Sequence, residues 1–322
     1  MAAKMTPRKV FENETLKIGD VTSIEKQITL TKRGWFAALL ELAITLTVGS
    51  GTGAIANSEL NFFKNLNFGT DLDGDSHMAP AIAFWNYASY VKEITLPKDA
   101  MAAASATYRV SVPLFFADPL SHSPEQTMLD QRRYDAAYCK ITCGTVADLL
   151  TSVGTSSVTA TASLTALETR EDLPAGFSPL FYPYFKAMAA VNHTDLLMKI
   201  QRLPNQRLRR QMYMLATGST AGVPFSGVPA DLGITSVCID NGKGYDMRDV
   251  SRTQIQNDNM GDFKRRSTGI YMLDFMRSGD LDESIVMHPG IRSKHDMTWQ
   301  TDTGTATTVN MLLDFVQELK AG

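Results

Sequence analysis

The sequence predicts an all-β protein made of two tandem β-sandwich domains with short helices. Three observations carry that reading. Apolar and polar residues alternate at period two in segment after segment, one ordered set of such segments occurs twice, and no regular helices of about 10–15 residues separate the strands.

Taken in order, residues 1–20 carry Lys4, Arg8 and Lys9 ahead of the first alternating segment and are expected to form an N-terminal arm. They lack the apolar region and cleavage site of a secretory signal. Ile28 and Leu30 then alternate with Gln27, Thr29 and Thr31, and Ile44, Leu46 and Val48 with Thr45 and Thr47. The surrounding apolar run, 35–49, contains Glu41 and falls short of the roughly 20 uncharged residues that a membrane-spanning helix needs. Segments 60–66 and 81–90 are apolar and fit helix or strand equally well.

The repeated set follows. In residues 107–168, Tyr108, Val110, Val112 and Leu114 alternate with Arg109 and Ser111 and run into 115–120; then come 127–129, 138–142, a Thr/Gly-rich break, and a strand over 158–167. In residues 268–319 the same order reads 270–275, 280–281, 284–286, 296–299, a Thr/Gly break, and 309–319. Tyr108 and Tyr271 lie 163 residues apart, and Ile141 and Met297 lie 156 apart. A period this long means tandem domains and not solenoid units, and it places Tyr108 and Tyr271 on equivalent strands. The charged, Pro- and Gly-containing segment 169–176 is the natural boundary, giving a first domain over 21–173 and a second over 177–322. Within the second, 217–233 reads as a long Gly/Pro-rich loop, and 249–259, closed by Gly261, as a helix.

Bulk properties narrow the function. The 322 residues are 44% hydrophobic and 20% charged, enough to bury two cores. A net charge of -3 and a pI near 6.0 argue against a dedicated or sequence-specific nucleic-acid binder. Cys139 and Cys143, four apart in a strand, would sit about 13 Å apart on one face and cannot bridge. With Cys238, they read as small buried hydrophobes of a protein made in a reducing cytoplasm.

Four features invite a chemical reading. Gly49, Gly51 and Ala54 satisfy the spacing of a dinucleotide-binding turn, with Asp71 22 residues beyond Gly49, but the preceding strand alternates where a strand buried on both faces would be apolar throughout, which favours a plain glycine-rich turn. Asp71, Asp73 and Asp75, around Gly74, resemble the opening of a calcium loop, yet Ile82 stands where the bidentate glutamate belongs. What stays open is an irregular calcium site completed by another subunit, beside a solvated Asp/Gly turn. The histidines, His77, His122, His193, His288 and His295, show no catalytic or metal spacing. Arg202, Arg207, Arg209 and Arg210, reinforced by Lys264, Arg265 and Arg266, form the densest positive charge, suited to a neighbouring subunit, lipid or genome phosphate, or to intramolecular ion pairs.

The run Pro113-Leu114-Phe115-Phe116-Ala117-Asp118-Pro119, the later Gln126-Thr127-Met128-Leu129-Asp130, and the matching Gly269-Ile270-Tyr271-Met272-Leu273-Asp274-Phe275 resemble the major capsid proteins of tailless icosahedral phages with an internal membrane, of the corticovirus type. The resemblance covers about residues 21–320 in order of elements. It implies two tandem eight-stranded jelly-roll sandwiches, a double jelly roll. It also implies a homotrimer acting as a pseudo-hexagonal capsomer, contacts with neighbouring capsomers and with minor or penton capsid proteins, and membrane lipids near the base. The chain is then a virion protein made in the host cytoplasm, with no catalytic residues and calcium as the only cofactor entertained. The alternatives are a two-domain spike that binds carbohydrate or a receptor and, from Gly49 to Ala54, a nucleotide-binding enzyme.

Overall fold

In a computed structural model, residues 4–19, 22–56, 58–92, 96–200, 206–217, 225, 228–230, 234–240, 246–286 and 297–319 are described. The chain divides into two compact units, Met1–Lys186 and Ala187–Gly322.

The first unit is a jelly roll. Its elements are β1 (Met5–Leu16), β2 (Thr22–Ile28), β3 (Gly34–Thr47), α1 (Glu59–Phe62), β4 (Phe63–Thr70), β5 (Gly74–Ala79), α2 (Ala81–Val91), β6 (Ala106–Phe115), β7 (Leu129–Asp130), β8 (Ala137–Cys143), α3 (Val146–Leu149) and β9 (Ser157–Thr169). One sheet has the order β1-β9-β3-β6, with β7 on the end of β3; in the other, β2, β8, β4 and β5 follow one another. Nearly all pairs are antiparallel, and the chain swaps sheets as it winds, which leaves few free edges.

Alternation sets the core. On β9, Val158, Ala160, Ala162, Leu164 and Ala166 are buried while serine and threonine separate them; on β3, Leu40, Leu42, Ile44 and Leu46 face the same way. The ambiguous segments resolve differently. Pro80 sits at the N-cap of α2 with φ of -60°, and every residue of this helix is buried, so its all-round apolar pattern reports burial on every side. Segment 60–66 is instead split between α1 and β4.

The expected N-terminal arm is corrected: residues 5–16 are β1, paired along β9 from Met5 with Thr169 to Leu16 with Ala160. Phe11 and Leu16 enter the core, and Arg8 meets a buried acid, so the basic character that looked like an arm belongs to a sheet strand. The expected boundary at 169–176 also moves. Arg132, held by Asp130 at 2.7 and 2.9 Å, donates to the carbonyls of Leu173, Pro174 and Phe177 and straps this segment onto the first unit. The division falls ten residues later, inside β10 (Phe181–Ile200).

The second unit contains β11 (Gln206–Thr217), β12 (Val228–Pro229), β13 (Ser236–Asp240), β14 (Asp246–Ser251), α4 (Arg252–Asp262), β15 (Ile270–Asp274), β16 (Ile285–Val286) and β17 (Met297–Glu318). Met212 on β11 pairs with Met272 of β15 on one edge and with Leu312 of β17 on the other. The strands expected at 296–299 and 309–319 are one: the first part of β17 pairs with β13 and the later part with β11. The threonine-rich stretch between them favours extended backbone, and one glycine does not interrupt a strand whose two halves both have partners. The helix expected at 249–259 starts at Arg252, because β14 takes residues 246–251 and Ser251 provides the cap; Gly261 lies within it. Of the expected loop 217–233, Val228 and Pro229 pair with Thr217 and Ala216, Phe225 is buried, and most of the remainder lies outside the described residues.

The units repeat one plan in detail. The central strand β3 carries β9 on one edge and β6 and β7 on the other; β11 carries β17 and then β15 and β16. Both centres bulge at the same place, between Trp35 and Ala37 against β9 and between Leu208 and Arg210 against β17. The Phe36 carbonyl accepts the N–H of Phe116 and of Ala117, and the Arg209 carbonyl that of Phe275. A 3-10 turn precedes the short strand in each copy. Tyr108 and Tyr271 thus lie on counterpart strands, β6 and β15. Counted from the bulges, however, Phe115 matches Asp274, so the counterpart of Tyr271 is Val112.

Candidate functional site

The glycine turn after β3 is a loop-to-loop contact. Gly49 N–H donates to Ser156 Oγ at 3.0 Å, Ser50 N–H to Thr155 Oγ1 at 3.0 Å, and Gly53 N–H to the Ser152 carbonyl at 2.9 Å. A Cβ on Gly49 would come within 2.1 Å of Thr155 Oγ1, which explains the glycine without a ligand. The amides a phosphate would need are engaged, and the next helix is the four-residue α1, starting at Glu59. The nucleotide-binding reading is corrected on both counts.

Asp71, Asp73 and Asp75 sit at the β4–β5 turn, where Gly74 has φ of +65°. Tyr134 donates its hydroxyl to Asp73 Oδ2 at 2.6 Å, Tyr138 donates to Asp75 Oδ1 at 2.7 Å, and the N–H groups of Asp135 and Ala136 reach Asp71. Burial first, and then the neighbouring Tyr182 and Asp73, push the Tyr134 hydroxyl above its ordinary range, so it stays a donor. The carboxylates are tied to separate partners, and among the described residues no group of three or more His, Cys, Asp or Glu is arranged to hold a metal.

The arginine cluster is intramolecular where it is described. Arg209 donates to Asp314 Oδ1 from Nε at 3.0 Å and from Nη2 at 2.6 Å; Arg210 reaches Asp274 at 3.2 Å and the other Asp314 oxygen at 3.7 Å. All four side chains are at most 5% exposed. Arg207 pairs with Asp282 and Glu318 at the edge of this group. Arg209 and Arg210 are therefore closed to lipid and genome. Arg202 lies outside the described residues, and Lys264 and Arg266 are exposed in the turn after α4.

His77 is fully buried: its Nε2 donates to the Phe115 carbonyl at 2.7 Å, its Nδ1 meets Ser76 Oγ at 2.8 Å, and Phe116 and Phe185 flank the ring at 4.7 and 4.8 Å. His122 is exposed; His288 and His295, and the side chain of His193, lie outside the described residues. Cys139 and Cys143 are buried, and burial pushes the Cys139 thiol up to about 12; Cys238, expected to be buried with them, is only half-buried on β13.

One ionic centre escaped the sequence reading. Glu168, fully buried, accepts from Arg8 at 2.9 Å, Arg33 at 2.8 Å and Trp35 Nε1 at 3.3 Å, joining β1, the start of β3 and the end of β9. Its signal was phase: the inward alternation of β9 reaches residue 168, so a glutamate there needed partners.

No protein-family model matches the chain, and no curated protein is similar to it in sequence. Solved structures match it in fold. The major capsid protein of Sulfolobus turreted icosahedral virus is 15% identical, with a TM-score of 0.70 over 98% of this chain and 97% of that one. The major capsid protein of bacteriophage PM2 is 11% identical, with a TM-score of 0.59 over 98% and 99%. The PBCV-1 capsid chain is 10% identical, with a TM-score of 0.56 over 99% and 96%. Wired as one duplicated jelly-roll plan and matched from end to end by these three, the chain has the double jelly-roll fold of viral major capsid proteins.

Proposed function

We propose that this chain is the major coat subunit of an icosahedral virus and works by self-assembly, not by catalysis. The carrying observation is the duplication itself: two sandwiches in one chain share strand order and bulge, so three chains present six similar blocks, enough to tile a near-hexagonal plane. End-to-end likeness to capsid chains supports the reading, since each match takes in 98% of this chain. The same proposal includes a homotrimeric capsomer, contacts with neighbouring capsomers and minor capsid proteins, and a virion location over an internal membrane. Lipid contact through Arg209 and Arg210 is not part of it, because those groups are buried. Calcium enters only as an ion whose remaining ligands come from another copy, since each aspartate of the turn already accepts a hydrogen bond within the chain.

Sedimentation of the purified chain tests this. The expected species at micromolar concentration has three times the 35.4 kDa of one chain and a hexagonal outline in negative stain. A stable monomer at that concentration overturns the proposal.

A further inference from the structure

The two copies differ in what happens to one face of the repeated sheet. In the second unit the outward positions, counted from the bulge, include Met212 and Met214 on β11 and Leu312 on β17, and all are completely buried; Asn310 beside them accepts the N–H of the buried Phe225 at 2.6 Å. Their counterparts in the first unit are Leu39 and Glu41 on β3 and Thr165 on β9. There the face is open: Leu39 is 37% exposed and Leu167 40%, two of only six large exposed hydrophobic side chains among the described residues.

The open face is made for contact. Leu39 lies between Thr165 and Pro113, and Ala37 beside Leu167, so short and apolar groups form the middle of the face, while exposed Lys9 and Glu12 on β1, Glu41 on β3 and Arg109 on β6 surround it. An apolar middle with charge around it is the anatomy of a protein interface. Four strands about 4.8 Å apart, each contributing about ten residues at about 3.3 Å, give roughly 600 Å² of surface. A stable protein–protein interface needs about 800 Å² per partner, so this sheet supplies most of one side.

We propose that the outer face of the β1-β9-β3-β6 sheet, centred on Leu39 and Leu167, is the seat of a second copy of this chain. The same face needs cover in both units: one has it inside the chain, and the other takes it from a neighbour. The inference rests on the coat-subunit reading and adds where the chains meet.

The test compares the wild-type chain with the Leu39→Asp/Leu167→Asp double variant by sedimentation, with circular dichroism to confirm folding. Both leucines are partly exposed, so the aspartates leave the core intact. The expected result is a wild-type trimer and a folded variant at one third of its mass. A second measurement stands if the variant fails to fold. In a Cys238→Ser background, Glu41→Cys should react with a maleimide at least tenfold more slowly than Leu72→Cys, whose site on the β4–β5 turn is 66% exposed in the chain. A folded variant that remains trimeric, or equal labelling of the two cysteines in a trimer, overturns this face and leaves the coat reading standing. A monomeric wild-type chain overturns both.

Discussion

Asp314 takes part in two buried ion pairs at once, and such a group is stabilising only while it is complete. Asp314→Asn keeps the shape but takes the negative charge from Arg209 and Arg210 in a place without water. A loss of about 3 kcal/mol of unfolding free energy is expected, read as a lower denaturant midpoint. A change below about 1 kcal/mol would show that water reaches the cluster. The arginines were visible in the sequence; their burial was not, because Asp274 and Asp314 lie 64 and 104 residues from Arg210 and only the ladders of β11 bring them together. The cysteines behave the other way. Their type alone indicated buried thiols outside any disulfide, which holds for Cys139 and Cys143 but not for the half-buried Cys238, and the high pKa of Cys139 sharpens this: thiol reagents should modify Cys139 and Cys143 only on unfolding, even at pH 8.

At the level of elements, the alternating strands were legible, whereas helix α3 falls in the segment that the sequence reads as a Thr/Gly-rich break, although its cap chemistry acts over a few residues. Thr145 N–H donates to Asp148 Oδ2 at 2.6 Å in a capping box, and Lys64 lies 3.1 Å from the same carboxylate. Burial works to raise the Asp148 pKa, but the Thr145 and Lys64 contacts outweigh it, so the folded value is lowered. A depressed carboxylate contributes stability above its unfolded pKa of about 3.9 and loses it as pH falls through the folded value. Asp148→Asn should therefore cost about 1 kcal/mol at pH 7 and less at pH 3, in melts at the two pH values. An equal cost at both would show that the charge plays no part. Strand joins were less legible: the long β17 and the start of α4 depend on which ladder claims each residue, a competition between distant segments.

For the whole molecule, the domain limit is the informative difference. Sequence places it at the Pro/Gly segment 169–176, whereas the first unit extends to Lys186, because Arg132 straps that segment and Phe185 closes the aromatic nest around His77. Phe185→Ala should then destabilise the first unit by about 4 kcal/mol, seen as a lower melting temperature. A near-neutral result would return residues 177–186 to the second unit, where the sequence reading placed them. By itself the sequence determined the all-β class and the duplication, since period-two alternation and a repeated order of segments are written along the chain. Only the tertiary structure decided that residues 5–16 are a core strand, that the arginines are interior, and that one copy of the repeated sheet is covered while the other lies open. Each of these is set by pairing and burial between residues far apart in sequence, and no local pattern encodes such partners.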